Sequence, residues 1–267
     1  MLIARIIAGA LVFVGLFLIE KKAPHFPGRK ARFTHSGRHF CIAFLNIVLV
    51  VLIFGGIIQS VFAYANSNNW GLLGLVHGPI WAETIIAILL FDIWMYAWHR
   101  ANHRIKFLWR FHRAHHTDTE MDASTAFRFH PGEIMLSTLL RLLVGPLLIG
   151  MSLWQILLYE TIALPVILFH HSNIRMPEKW DLPIRRFIVT PWMHWVHHSH
   201  LQPETDSNYG TIFSWWDRIF RSFRIRQDHQ DIRFGLDKFS DERWQQIPFF
   251  YITPLGHVQK QTFNKDL

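Results

Sequence analysis

The chain alternates between long apolar segments and shorter segments rich in basic residues and histidine. The apolar segments lie at about residues 2–20, 40–64, 79–98, 134–150 and 152–169. A helix needs roughly 20 apolar residues to cross the hydrocarbon core of a bilayer, and inside a bilayer an isolated segment can satisfy its own backbone hydrogen bonds only as a helix. The pattern therefore predicts an all-α, multi-pass membrane protein.

The last two apolar segments form one block, Ile134 to Phe169, with a weak point near Gly145 to Ser152. This block is too long for one span and too short for two full ones. Each half would reach roughly 25 Å at 1.5 Å of rise per residue. We predict a tilted or re-entrant hairpin whose two ends lie on the same side of the membrane.

Basic residues predict the orientation. The segment Lys21 to Arg38 carries six of them and no acid, as cytoplasmic loops do. We interpret residues 2–20 as a helix rather than a cleaved signal peptide, because charged residues follow it at once in place of a small-residue cleavage site. Counting spans from there puts segments 99–133 and 170–267 in the cytoplasm, as a helical cap within a single domain of residues 1–267.

Composition narrows the chemistry. The chain of 267 residues is 51% hydrophobic, has a formal charge of +8 and contains one cysteine, Cys41. One cysteine excludes an internal disulfide framework and a cysteine-rich zinc site, so metal ligands must be nitrogen or oxygen atoms. The positive charge accompanies apolar spans and no nucleic-acid motif, which favours a membrane surface over nucleic acid as partner.

Histidines occur in three groups with repeated spacing. The groups are HxxxH at His99 and His103, HxxHH at His112, His115 and His116, and HxxHH at His194, His197 and His198. Residues three or four apart share a face of a helix, so each group can aim at least two imidazoles at one metal. Zinc takes four ligands and iron at most six, so eight imidazoles imply two metals.

The spacing alone does not identify the metal. Zinc would indicate hydrolysis by an activated water, iron would indicate activation of dioxygen, and a histidine-rich metal store or transporter is a third possibility. Isolated histidines are expected to have no ligand role; these are His25, His35, His77, His229 and His257. Asp92 shares a helical face with Tyr96, His99 and His103, and we expect it either to orient a histidine or to pair with a neighbouring helix.

Six short motifs, in order, resemble the fatty acid hydroxylase and sterol desaturase superfamily of integral-membrane di-iron oxygenases. They are DIWMYAWHRANH, FHRAHH, FHHSN, HWVHHSH, DSNYG and WWDRIF. The resemblance covers roughly Asp92 to Phe220. One departure is Arg221-Ser222, where the family commonly has Gly-Thr.

The resemblance implies a ligand set for two iron ions. The eight clustered histidines carry over as ligands, and a further histidine between the second and third groups joins them. We expect this to be His171, with His170 or His130 as substitutes. The motif residues Asp206, Asn208, Tyr209 and Asp217 are expected to orient the ligands. The tetrad HPGE at His130 is interpreted as a coincidental likeness to a haem-binding motif.

The resemblance also implies a reaction: hydroxylation or desaturation of a lipid, such as a sterol or fatty acyl chain, with dioxygen and external electrons. The chain contains no GxGxxG fingerprint and no CxxC pair. We therefore expect a separate electron donor of the ferredoxin or cytochrome type. The motifs do not name the lipid.

Overall fold

The computed structural model describes residues 2–27 and 31–256, with side chains described from residue 6 onward. The regular secondary structure of these residues is helical, with isolated bridges between other segments and no extended strand, which confirms the all-α prediction. Arg29 and Lys30, two of the six predicted loop residues, and the isolated His257 lie outside the described residues.

Long apolar helices make up the body of the fold. They are α1 (Leu2–Lys22), α2 (Arg32–Ser67), α3 (Ile80–Arg104), α5 (Pro131–Leu142), which continues as a wider π-helical turn (Leu143–Ile149), and α6 (Leu153–His171). Four segments are long and apolar enough to cross a membrane: 32–75, 80–104, 131–149 and 153–171. Large apolar side chains such as Leu52 and Val51 are exposed on them. The chain is an integral membrane protein.

Helix α2 begins earlier than the sequence predicts. Its 36 residues span about 54 Å, well beyond a hydrocarbon core of about 30 Å. The first turns, which the sequence analysis placed in a basic loop, bury His35 and His39 against residues 118–124. Polar contacts with a distant part of the chain therefore keep these turns helical.

The second apolar block divides into two helices at Gly150–Ser152. Gly150 has φ +89° and Gly71, in the α2–α3 connection, has φ +94°; a Cβ on Gly71 would lie 2.2 Å from the Gly150 nitrogen. Only glycine permits this approach. Each half contains 19 residues, about 28 Å of helix, so each is long enough to cross a bilayer rather than only enter it.

Shorter helices cover one end of this bundle. They are α4 (Lys106–His116), α7 (Glu178–Ile184), α8 (Pro191–His197), α9 (Gln202–Thr205), α10 (Trp215–Ile219) and α11 (Ile247–Ile252). Helix α4 packs on the end of α3 and the start of α5, and α8 packs on α6. The C-terminal ends of α3 and α6 therefore meet the start of α5 beneath α4 and α8.

Candidate metal centre

Nine histidines meet at this covered end of the bundle in two adjacent groups. One group contains His99, His103, His112, His116 and His197, and the other contains His115, His171, His194 and His198. Within each group the candidate ligand atoms lie within 4.8 Å of one another. Eight of the nine residues are buried and His99 is partly buried. The two groups are adjacent because His115 and His116 belong to different ones.

Helical spacing explains how each element supplies its ligands. His99 and His103 lie one turn apart at the end of α3, and His112 and His116 lie one turn apart on α4. Residues four apart share a face. Because α3 and α4 pack against each other, these four side chains converge, and His197 reaches them from α8.

Backbone carbonyls hold the outer edge of several rings. Nδ1 of His99 lies 2.9 Å from the carbonyl oxygen of Tyr209, and Nδ1 of His115 lies 3.2 Å from that of Arg128. Nδ1 of His171 lies 2.8 Å from the carbonyl oxygen of Ile167, and Nδ1 of His197 lies 2.6 Å from that of Ser207. A carbonyl only accepts, so Nδ1 must carry the proton in these rings. The Nε2 atom is left unprotonated, as a metal ligand requires.

The free Nε2 atoms face one another. In the group of four histidines, Nε2 of His171 lies 3.2 Å from Nε2 of His115 and 3.0 Å from Nε2 of His194. Two nitrogens bound at right angles to one ion at roughly 2.1 Å would also lie about 3 Å apart. In the other group, Nε2 of His197 is buried without a hydrogen-bond partner among the described residues. The donor set thus fits two metal ions.

Burial keeps five of these histidines neutral. It lowers the pKa of His116 and of His198 well below the usual value, and neighbouring imidazoles lower the pKa of His116 further. The same two causes act on the pKa of His115, His194 and His197. A metal ligand must be the neutral imidazole, so these rings are in the binding form at neutral pH.

Glu133 belongs to the metal centre through its contact with His112, and the sequence analysis missed it. Its Oε1 lies 2.8 Å from Nδ1 of His112, and both residues are buried. Glu133 lies in the first turn of α5, in the HPGE tetrad interpreted as coincidence. A carboxylate close after a break and before an apolar helix was the available signal, but its partner lies 21 residues earlier in the chain.

Two of the predicted orienting residues lie directly against the rings. Tyr209 accepts from His99 through its carbonyl oxygen, and its ring packs at 5.2 Å from the ring of His103 and 5.9 Å from that of His197. Asp206 Oδ1 lies 3.6 Å from Nδ1 of His103. These positions are suited to fixing ring orientation.

The other three hold the backbone that carries Tyr209. Asp217 accepts from the Tyr209 and Gly210 nitrogens at 2.7 and 2.9 Å. Asn208 donates to the Met193 carbonyl oxygen at 2.8 Å. Asp92 accepts from Tyr159, Trp216 and the nitrogens of residues 212 and 213. The described contacts of Asp92 are thus with this loop and with Tyr159 on the neighbouring helix α6, as the alternative of pairing with a neighbouring helix expects, and not with a histidine ring.

The other histidines that the structure describes lie outside both groups. The His170 ring packs 4.1 Å from that of His194, and His130 caps α5 by accepting from the Gly132 nitrogen at 3.0 Å. His25 packs on Trp195 and His229 on Trp192, while His77 is exposed.

Comparison with known families agrees with this geometry. The fatty acid hydroxylase family model matches residues 84–222, more than half of the chain. The chain belongs to the fatty acid hydroxylase family. The match contains all nine clustered histidines and ends at the departure noted at residues 221 and 222.

The names of curated relatives of the chain refer to different lipids. The chain is 27% identical, over 54% of its length, to an ornithine lipid hydroxylase of Rhizobium tropici. It is 28% identical, over 63% of its length, to the alkylglycerol monooxygenase of Homo sapiens, and 24% identical, over 54% of its length, to the cholesterol 25-hydroxylase of Rattus norvegicus. The matches cover 43%, 36% and 47% of those proteins, so the chain spans less than half the length of each. No solved structure matches the chain.

A buried ionic network supports the group of four histidines through His115. His35 lies between Asp118 and Asp122, at 2.9 and 3.1 Å. Asp118 also accepts from Thr125, and the buried Arg128 guanidinium approaches His39 at 3.4 Å. Although His35, His39 and Asp122 could hold a metal, Arg128 and His35 can balance the two carboxylates without one. The network fixes Arg128, whose carbonyl oxygen accepts from His115.

Two neighbouring cavities lie beside the histidines and share part of their lining. An inner cavity of about 210 Å³ is lined by His99, His112, His115, His171 and His194 together with apolar side chains. A groove of about 480 Å³ lies between α2, α5 and α6 and is mainly apolar. Both are lined by Ala126, Phe127, Phe129, Ile134 and Arg141. Phe129 stacks on His115 with ring centroids 4.4 Å apart.

The departure at Arg221 has a backbone consequence. Arg221 has φ +57°, in the left-handed region where glycine is unstrained and other residues are disfavoured. The family's usual glycine suits this turn, in which the Ser222 nitrogen donates to the Asp217 carbonyl oxygen at 2.7 Å. Arg221 keeps the same turn at a cost in strain.

Proposed function

We propose that the chain is a membrane-bound di-iron oxygenase that hydroxylates or desaturates a lipid with dioxygen and external electrons. The observation that carries the proposal is the meeting of nine histidines in two groups of five and four, each with its ligand atoms within 4.8 Å. A second support is the family, whose relatives here include named hydroxylases and monooxygenases.

The proposed ligands are the members of the two groups. Imidazole binds iron, zinc and copper alike, so nitrogen donors alone do not select the metal. The oxidative names of the relatives favour iron over zinc. Bound iron would supply the reduction of dioxygen and the oxidation of an unactivated C–H bond.

The protein side chains position this chemistry rather than carry protons. The neutral imidazoles of the cap provide nitrogen lone pairs, and the carbonyl oxygens of residues 128, 167, 207 and 209 fix ring orientation from behind. The Glu133 carboxylate, 2.8 Å from Nδ1 of His112, fixes the orientation of that ring from behind. Apolar walls around the inner cavity exclude water from a reactive centre.

A lipid substrate is supported by the groove. It opens along helices that cross the membrane and shares five lining residues with the inner cavity. A chain entering from the bilayer could therefore reach the histidines past Phe127 and Phe129. The named lipids of the relatives differ in headgroup, so the proposal names the class and not the molecule.

Metal analysis tests the proposal. The purified protein should contain two iron ions per chain and consume dioxygen with a lipid extract and a chemical reductant. His115→Ala and His198→Ala should lose metal and activity together, while His77→Ala, at an exposed isolated histidine, should lose neither. A metal store would lose capacity in steps without oxygen consumption. A zinc hydrolase would keep full activity under anaerobic conditions.

We further propose that segments 99–133 and 170–267 face the cytoplasm within one membrane domain of residues 1–267. The six basic residues between Lys21 and Arg38 support this orientation. Single cysteines at Thr34, Gln227 and Asn68, all exposed, can test it in a Cys41→Ser background. Residues 34 and 227 should label from the cytoplasmic side and residue 68 from the other; labelling of 34 and 227 from opposite sides would refute it.

A separate ferredoxin- or cytochrome-type protein is the proposed electron donor. Long-range attraction to a basic surface would make its association depend on salt. Turnover by the purified protein with a reduced nicotinamide nucleotide alone would show that no such donor is needed.

A further inference from the structure

Arg141 and Glu160 form an ion pair in the part of the molecule where the two cavities meet. The Arg141 Nη1 atom lies 3.3 Å from Oε1 of Glu160, and the side chains are 38% and 24% exposed. Arg141 belongs to α5 and Glu160 to α6, both within segments long and apolar enough to cross a membrane. Ionisable groups at such positions are costly and usually pair or serve a binding site.

The depth of the pair follows from helix geometry. Arg141 lies eight residues after Glu133, which contacts His112, so its Cα is about 12 Å along α5 from that contact. Helical side chains point towards the N-terminus of their helix. By this rule the Arg141 side chain points towards the histidines and the Glu160 side chain points away from them. Because Glu160 lies eleven residues, about 16 Å, before His171 on α6, the ion pair lies roughly 12–16 Å from the histidines along the two helices.

Arg141 also faces open space on the substrate path. It lines both the inner cavity and the outer groove, whereas Glu160 lines only the groove. Among the described residues, its Nη1 contact with Glu160 is the one hydrogen bond that the guanidinium makes. Since arginine carries five N–H donors, most of its donor capacity is available to a molecule in the cavities.

We propose that Arg141, neutralised by Glu160, binds a neutral oxygen acceptor of the substrate lipid, the carbonyl of an ester or amide linkage. This rests on the proposed function, because the groove is taken as the path of the lipid. A carbonyl accepts from the guanidinium without adding charge. A carboxylate in the same place would face the negative charge of Glu160, so the pair selects against free fatty acids.

The alternative is that the pair only joins α5 to α6. Removing a joining contact would weaken the fold and affect all lipids equally. Removing a binding group would instead change the preference between two lipids that differ only in the carbonyl. This difference decides between the two roles.

The test uses equilibrium binding of radiolabelled lipids to the iron-loaded protein in a detergent without carbonyl groups. The probes are 1-monopalmitoylglycerol and 1-O-hexadecylglycerol, which differ by a carbonyl in place of a methylene, and palmitate. The wild type should bind the ester more tightly than the ether by roughly tenfold to a hundredfold, the range for a hydrogen bond to a charged group. Arg141→Met should reduce this ratio to about one.

Two further variants protect the interpretation. The double variant Arg141→Met/Glu160→Gln removes both charges together, so no carboxylate loses its partner, and it should show the same loss of preference. Glu160→Gln alone should shift binding towards palmitate by roughly tenfold, because the positive charge is no longer balanced. The exposed Arg243→Met is the control and should keep the wild-type ratio.

Binding and turnover fail independently. A wild type without preference for the ester, or without saturable binding of either glycerol lipid, overturns the inference, as does an unchanged ratio in Arg141→Met. Dioxygen-dependent lipid oxidation measured in parallel tests the proposed function. Oxidation with an unchanged ratio would leave the function standing and remove the subsite, and a changed ratio without oxidation would do the reverse.

Discussion

Replacing Glu133 is the sharpest test of how the group of five histidines is organised. The Glu133 carboxylate lies 2.8 Å from Nδ1 of His112, and the two residues are 5% and 2% exposed. Glu133→Ala removes the charge and the acceptor, whereas Glu133→Gln keeps an acceptor oxygen and removes the charge. Neither substitution changes a proposed metal ligand.

The expected magnitude follows from this geometry. A buried hydrogen bond to a charged group contributes about 1.5–3 kcal/mol, and loss of a partner behind a ligating histidine typically costs 10- to 100-fold in metal affinity. Because His112 belongs to the group of five only, one of two iron ions should be affected. Glu133→Ala should weaken the binding of that ion by about 30-fold, and Glu133→Gln should weaken it by about threefold to tenfold.

Competition with an iron chelator measures the effect directly. The wild type should release its two ions over one range of chelator concentration. Glu133→Ala should release one of them at a chelator concentration about 30-fold lower. Glu242→Gln, at an exposed carboxylate outside the centre, is the control. Equal affinity of both ions in Glu133→Ala and the wild type would refute the role assigned to this contact, and loss of both ions together would indicate a general structural defect.

Two other substitutions probe the loop that carries Tyr209. Burial raises the pKa of Asp217 to about 6, although hydrogen bonds from Ser222 and the loop nitrogens lower it in part. The folded state thus holds the proton more tightly than the unfolded state, so stability should fall as the pH rises from about 4 to about 6, by about 2–3 kcal/mol. Asp217→Asn should flatten this part of the thermal midpoint profile; an unaltered profile would contradict the assignment. Arg221→Gly should relieve left-handed strain and raise the midpoint by roughly 1–3 °C, while Arg221→Ala should not, and equal midpoints for the two would contradict the strain.

Helical periodicity accounts for what the histidine spacing predicted. Positions four apart on α3 and α4 share a face, so the pairs His99/His103 and His112/His116 fall together as expected. The sequence could not predict that His115 joins the other group. That division depends on how α4 packs between α3 and the region of α6 and α8, which spacing within one helix does not encode.

Long-range contacts explain what the sequence analysis missed. Glu133 required knowledge that the start of α5 lies beneath α4. The early start of α2 required His35 to find Asp118 and Asp122, more than 80 residues later. In both cases the local pattern was that of a loop or a chance motif, because the partner that gives the residue its role is distant in the chain.

Isotope labelling tests the central claim most directly. The reconstituted protein is given a lipid extract, a chemical reductant and ¹⁸O₂ in unlabelled water, and the products are analysed by mass spectrometry. The account predicts a hydroxylated lipid that carries ¹⁸O with wild-type protein, no such product with His198→Ala, and normal labelling with His77→Ala. A desaturated lipid formed only when dioxygen is present would also agree. Product formed without dioxygen, or product whose oxygen comes from water, would contradict the account.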